Sequence, residues 1–136
     1  MEDTKSKRIL VIDDDRDFID AVTTILKSAM YEVSTAANPN EGKDKILEEK
    51  PDLILLDIMM DSLFDGFSLC HAIKTGKDFK DVKDTPVIFV SAVKELTGSR
   101  FQFDGADQGM SGPDDYIDKP VKPEDLLARI AKFLEK

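Results

Sequence analysis

Three short apolar runs punctuate the chain: Ile9-Leu10-Val11-Ile12, Leu53-Ile54-Leu55-Leu56 and Val87-Ile88-Phe89-Val90. They are continuous rather than alternating and rich in branched aliphatics, the pattern of strands covered on both faces in parallel sheets. Between them the apolar period changes to that of helices. Phe18, Val22, Ile25, Leu26 and Ala29 recur at three- and four-residue spacing and predict a helix from Phe18 to Met30, capped by Asp15 or Asp17. Asn38-Pro39 reads as an N-cap followed by proline at the first helical position, opening a helix that runs to about Lys50. Gly66 to Gly76 carries Phe67, Cys70 and Ile73 on one face, with Gly76 as C-cap. Pro123 opens a last helix bearing Leu126, Leu127, Ile130 and Leu134. Weaker strands are expected at Val33 to Ala36 and Asp115 to Asp118. The sum is an α/β fold of five strands alternating with helices.

Two stretches resist this reading. Lys94 to Pro113 should hold a helix before the fifth strand, yet it contains Gly98, Gly105, Gly109 and Gly112. Glycine costs about 1 kcal/mol per helical position relative to alanine, so a short or frayed helix followed by a long loop is expected. Lys77 to Asp84 is dense in charge and reads as a solvated loop.

Polar residues fall at the ends of the apolar runs. Asp13 and Asp14 follow the first, Asp57 the second, Ser91 the third, and Lys119 follows Tyr116-Ile117. In a parallel sheet all of these emerge at the carboxyl edge, where open α/β sheets build their sites. Three carboxylates crowded there repel one another unless a cation sits among them, and all-oxygen ligation suits Mg²⁺. With an ammonium and a hydroxyl donor added, the group forms a phosphoryl-transfer set: an aspartate nucleophile with cations to neutralise the transferring group. There is no glycine-rich phosphate loop with a following lysine, which argues against ATP as donor.

At these residues the chain resembles the receiver domains of two-component response regulators, of the chemotaxis-regulator type, over essentially its whole length. The resemblance rests on Ile9-Leu10-Val11-Ile12-Asp13-Asp14-Asp15, Pro51 through Met60, Asp65-Gly66-Phe67, Pro86 through Ala92, and Asp115-Tyr116-Ile117-Asp118-Lys119-Pro120, in this order and spacing. It implies a five-stranded parallel sheet of order 2-1-3-4-5 with helices on both faces. It further implies Asp57 as phosphoacceptor, taking a phosphoryl group from a phosphohistidine on a histidine kinase or phosphotransfer domain. Asp13 and Asp14 would hold Mg²⁺ together with Asp57 and the Met59 backbone carbonyl. Ser91 matches the hydroxyl that turns toward the phosphoryl group, and Lys119 the lysine that pairs with it, followed in the family by a cis peptide to the proline, here Pro120. Tyr116 matches the aromatic that moves inward on switching.

The chain departs from that pattern in three places. Asp61 stands where the family usually has proline, and the loop from there to Gly66 is about one residue longer. The interval from Ser91 to Lys119 is also longer, with the excess in the glycine-rich stretch. Met59 and Val93 occupy the positions that tune dephosphorylation, and neither apolar side chain can orient an attacking water.

Two other readings share some of these residues. A haloacid-dehalogenase-like phosphohydrolase would use Asp13 as nucleophile and Asp15 as acid-base, but Arg16-Asp17 replaces the small turn residues shown there and the chain is short for that family. A pseudo-receiver would bind without turning over phosphate, against which stand the intact acidic pair, Asp57, Ser91 and Lys119. Singly each residue has an ordinary role: Asp13-Asp14-Asp15 as a turn and helix cap, Lys119 as a surface lysine, Tyr116 as a half-buried strand residue. His71 reads as structural or surface, and Cys70 as an inert core thiol.

Composition narrows the setting. At 136 residues, 41% hydrophobic and 35% charged, the chain suits one compact domain, here 1–136 with its core at about 8–135 and no output domain following. A net charge of −9 disfavours direct contact with nucleic acid or anionic lipid, where attraction to phosphate dominates. A single cysteine and a polar N-terminus suit a cytoplasmic protein, and no apolar run approaches membrane-spanning length. The expectation is a phosphorylation-driven switch acting on an output protein, not an enzyme with a separate substrate.

Overall fold

A computed structural model of the chain describes residues 7–57, 63–82, 84–91 and 114–134, with backbone alone at 63–68, 78, 81 and 91. Five strands, β1 (Arg8–Ile12), β2 (Glu32–Ala36), β3 (Leu53–Asp57), β4 (Val87–Ser91) and β5 (Asp115–Asp118), pair in parallel in the order β2-β1-β3-β4-β5. Among the described residues the α-helices are α1 (Arg16–Ser28), α2 (Pro39–Glu49), α3 (Leu63–Thr75) and α4 (Pro123–Leu134).

The apolar runs are continuous because alternate residues serve different layers. Leu10, Ile12, Ile54, Leu56, Val87 and Phe89 pack with Ile46 of α2 and Leu69, Cys70 and Ile73 of α3. Ile9, Val11, Leu53, Leu55, Ile88 and Val90 pack on the other face with Val22 and Leu26 of α1 and Leu126 and Ile130 of α4. A purely alternating sequence would leave one of these faces polar, so the runs encode a sheet between two helical layers. Burial pushes the Cys70 thiol up to about 12, so it stays protonated and unreactive, and His71 next to it is exposed.

Helix boundaries follow from side-chain caps. Asp15 is the N-cap of α1: its Oδ1 accepts from the Asp17 and Phe18 amides at 3.0 and 3.2 Å. The helix therefore starts two residues before the first apolar position of its stripe. At α2 the Asn38 Oδ1 accepts from the Glu41 amide at 2.8 Å, Glu41 reaches back to the Ala37 amide at 2.9 Å, and Pro39 opens the helix as expected. α3 begins at Leu63 rather than Gly66 and ends before Gly76, whose amide donates to the Ala72 carbonyl at 2.7 Å.

The solvated loop expected at Lys77 to Asp84 is corrected. Lys77–Val82 is a 3-10 turn that buries Phe79 and Val82 in the α2/α3 layer. At three residues per turn, positions three apart lie on the same side, so two apolar residues suffice to anchor the segment while Lys77 and Lys80 stay exposed. Gly76 feeds this turn, and a Cβ there would lie 2.6 Å from the Ala72 carbonyl oxygen.

α1 ends in an unusual way. The Tyr31 amide donates to the Leu26 carbonyl and the Met30 amide to Lys27, a Schellman motif that puts Met30 in the left-handed region at φ 74°. A side chain with a Cβ is strained there, and Met30 is 78% exposed, so it gains little from packing. Met30→Gly should therefore stabilise the fold by about 1 kcal/mol, read as a higher urea midpoint at unchanged slope. A lower midpoint would contradict this account of the cap.

Candidate functional site

Strand register brings the polar residues together. Ile12 pairs with Leu56, so Asp13 and Asp57 leave neighbouring strands side by side. Asp57 pairs with Val90, and Ser91 with Asp118, which sets Ser91 and Lys119 one step further across the same edge. The site thus arises from a parallel register in which four strands end nearly level.

Asp13, Asp14 and Asp57 each offer a carboxylate oxygen, and these oxygens all lie within 4.8 Å of one another. Asp13 is 1% exposed and Asp57 5%, while Asp14 faces solvent. Burying two carboxylates side by side is costly unless positive charge and donors compensate. Part of that compensation is visible at Asp13. Its Oδ1 accepts from the Asp15 amide at 2.8 Å, and its Oδ2 lies 2.9 Å from the Lys119 ammonium. One carboxylate oxygen from each of Asp13, Asp14 and Asp57 lies near enough to the others to fit a hard divalent cation with oxygen ligands and retained water. An open cleft of 310 Å³, lined by Asp13, Asp14, Arg16, Asp20, Thr35 and Glu41, leads to this group from the β2 side.

Lys119 follows β5, and its peptide bond to Pro120 is cis. Its side chain is 15% exposed and is held from a second side by Phe18, whose ring centroid lies 4.3 Å from the ammonium. By sequence pattern Phe18 belongs only to the apolar stripe of α1. The available signal was its place in the first turn of a helix that starts directly after the acidic pair. Tyr116 is half-buried and meets Phe89 edge-on, with ring centroids 5.8 Å apart. Arg129 of α4 donates to the Tyr116 carbonyl at 3.1 Å and to Asp115 at 2.8 Å. The backbone of Ser91 closes β4 at the expected edge. Met59, Asp61, Val93 and the whole glycine-rich stretch from Lys94 to Pro113, with the helix expected in it, lie outside the described residues.

The geometry weighs against the hydrolase reading. Asp15 would have to serve as acid-base, but its Oδ1 is taken by two backbone amides at the helix cap. Asp13 would have to attack, yet it is the most enclosed of the three carboxylates, accepting from the Asp15 amide at one oxygen and ion-paired with Lys119 at the other. Asp57 is the carboxylate that ends the central strand.

Known proteins agree with this arrangement. The family model described as response regulator receiver domain matches residues 9–131. A DNA-binding dual master transcriptional regulator, RpaA of Synechocystis, is 34% identical over 129 residues, covering 95% of this chain and 49% of that protein. The probable transcriptional regulator ycf27 of Porphyra purpurea is 35% identical over 140 residues, covering all of this chain and 50% of its own. The chain therefore spans about half the length of the curated relatives it matches. Among solved structures, a CheY-like response regulator receiver domain protein from Methanospirillum hungatei is 36% identical with a TM-score of 0.77, covering 96% of this chain and 95% of that one. A putative response regulator from Chloroflexus aurantiacus has a TM-score of 0.81 at 26% identity, covering 97% and 100%. No described helix is long and apolar enough to cross a membrane. The five-stranded sheet in order 2-1-3-4-5, the acidic edge and the match over residues 9–131 converge on one assignment: the chain belongs to the receiver domain family of response regulators of two-component systems.

Proposed function

We propose that Asp57 is the phosphoacceptor and that residues 1–136 act as one receiver domain, a cytoplasmic switch set by a histidine kinase or phosphotransfer domain. The observation that carries this reading is the convergence of the Asp13, Asp14 and Asp57 carboxylates within 4.8 Å, with the Lys119 ammonium 2.9 Å from Asp13. Asp13, Asp14, Asp57 and the Met59 carbonyl would hold Mg²⁺, which supplies positive charge against the oxygens of the incoming phosphoryl group.

The protein's own residues do the rest. An Asp57 oxygen attacks the phosphorus in line, the bond from phosphorus to the donor's imidazole nitrogen breaks, and its electron pair returns to the ring. The product is an acyl phosphate on Asp57. Lys119 exchanges its hold on Asp13 for the phosphoryl oxygens, adding fixed positive charge where negative charge arrives. Ser91 donates its hydroxyl to the same group, and Tyr116 follows it inward, biasing a two-state equilibrium read by an output partner. The domain catalyses only its own phosphorylation and dephosphorylation. Its net charge of −9 favours protein contact over direct contact with nucleic acid.

Incubation with acetyl phosphate tests the reading. One added phosphoryl group by intact mass, absent when Mg²⁺ is omitted, is expected; no adduct while Mg²⁺ still binds would turn the reading toward a pseudo-receiver. Hydrolysis of the adduct needs a water aligned behind phosphorus, and neither the Met59 nor the Val93 side chain carries a hydrogen-bonding group to align one. The phosphoaspartate should accordingly persist, and decay within seconds in the purified protein would contradict this.

A further inference from the structure

Lys119 is a point charge on a flexible four-carbon stem, and such an ammonium spreads over many positions unless something confines it. Here two contacts confine it, one from the turn after β1 and one from the first turn of α1. Asp13 Oδ2 holds the ammonium at 2.9 Å, and the Phe18 ring covers it at 4.3 Å from the centroid. The turn is itself cross-linked: Asp13 Oδ1 accepts from the Asp15 amide, and Asp15 Oδ1 accepts from the Phe18 amide. Carboxylate, cap, ring and ammonium form a closed circuit in which the position of Phe18 is tied to that of Asp13.

We propose that Phe18 is a positioning residue for Lys119: its ring face keeps the ammonium at the acidic edge of the site, so that the charge is already in place when a phosphoryl group reaches Asp57. This rests on the reading of Asp57 as phosphoacceptor. The two contacts differ in kind. Asp13 binds the ammonium as an ion and competes with any arriving anion. The ring attracts it through the quadrupole, shields it from water on that side and does not compete. Lys119 can therefore turn from Asp13 toward a new anion while remaining under Phe18. A leucine would fill the same apolar place on α1, beside the layer of Val22 and Leu26 that Phe18 packs against, but would offer no such face.

The test compares Phe18→Leu and Phe18→Tyr in the full chain. Phosphorylation by acetyl phosphate at saturating Mg²⁺ should slow roughly fivefold in Phe18→Leu and stay near wild type in Phe18→Tyr, with Mg²⁺ affinity unchanged in both. Equal rates in all three proteins, or equal slowing in both variants, would overturn the proposal, the latter because it marks a packing role alone. A second readout needs no phosphoryl chemistry. The ε-methylene proton signals of Lys119 should be shifted upfield by the ring current in wild type and Phe18→Tyr, and should return to ordinary lysine positions in Phe18→Leu. Ordinary positions in wild type would overturn the proposal whatever the rates. A wild-type protein that shows the upfield signals yet takes no phosphoryl group would locate the failure in the reading of Asp57.

Discussion

Lys119→Met should slow phosphorylation of Asp57 by roughly a hundredfold while leaving Mg²⁺ affinity equal to or above that of wild type. Methionine keeps much of the length and apolar character of the lysine stem and removes only the charge. A pre-placed donor or cation facing developing negative charge contributes about 10²–10³ in rate when lost, because the surrounding site cannot rearrange to replace it. The opposite sign for the metal follows from simple repulsion. An ammonium 2.9 Å from Asp13 Oδ2 partly neutralises a carboxylate that would otherwise be fully available to a divalent cation. Rates come from intact mass against time and affinity from Mg²⁺ titration, with a melting curve to confirm folding. A rate within twofold of wild type would contradict the role of Lys119, as would a parallel loss of Mg²⁺ binding.

The sheet and its edge were legible in the sequence for an identifiable reason. When both faces of a strand are covered, burial does not alternate, and runs such as Ile9 to Ile12 and Leu53 to Leu56 announce themselves. Polar residues set directly behind such runs can only lie at the strand ends, so a parallel sheet gathers Asp13, Asp57, Ser91 and Lys119 at one edge. The cap at Asn38-Pro39 was equally plain, since it depends on neighbours in sequence alone.

What escaped depended on contacts between distant residues or on local geometry masked by composition. The 3-10 turn at Lys77–Val82 was hidden by its charges, because Phe79 and Val82 matter only at a three-residue period. The left-handed Met30 has no signature of its own, since glycine usually marks that position. The contact of Phe18 with Lys119 joins the first turn of α1 to the residue after β5, and the pattern within α1 accounts equally well for a purely structural phenylalanine. The pairing of Asp115 with Arg129 and of Asp114 with Lys74 likewise links elements that no local period connects.

The largest effect expected is at Asp57. Asparagine there keeps the size and shape of a side chain at the end of a fully buried strand, but removes the anionic oxygen that would attack phosphorus. Asp57→Asn should abolish the adduct entirely at concentrations of Mg²⁺ and acetyl phosphate that fully modify wild type. Asp13→Asn should lessen it by weakening the metal site, while any adduct still formed remains on Asp57. Intact mass followed by peptide mapping of the three proteins, side by side, is the decisive measurement. An adduct in wild type on the Leu53–Asp57 segment, with none in Asp57→Asn, is the predicted result. An adduct that survives in Asp57→Asn and disappears in Asp13→Asn would contradict the account and make Asp13 the nucleophile.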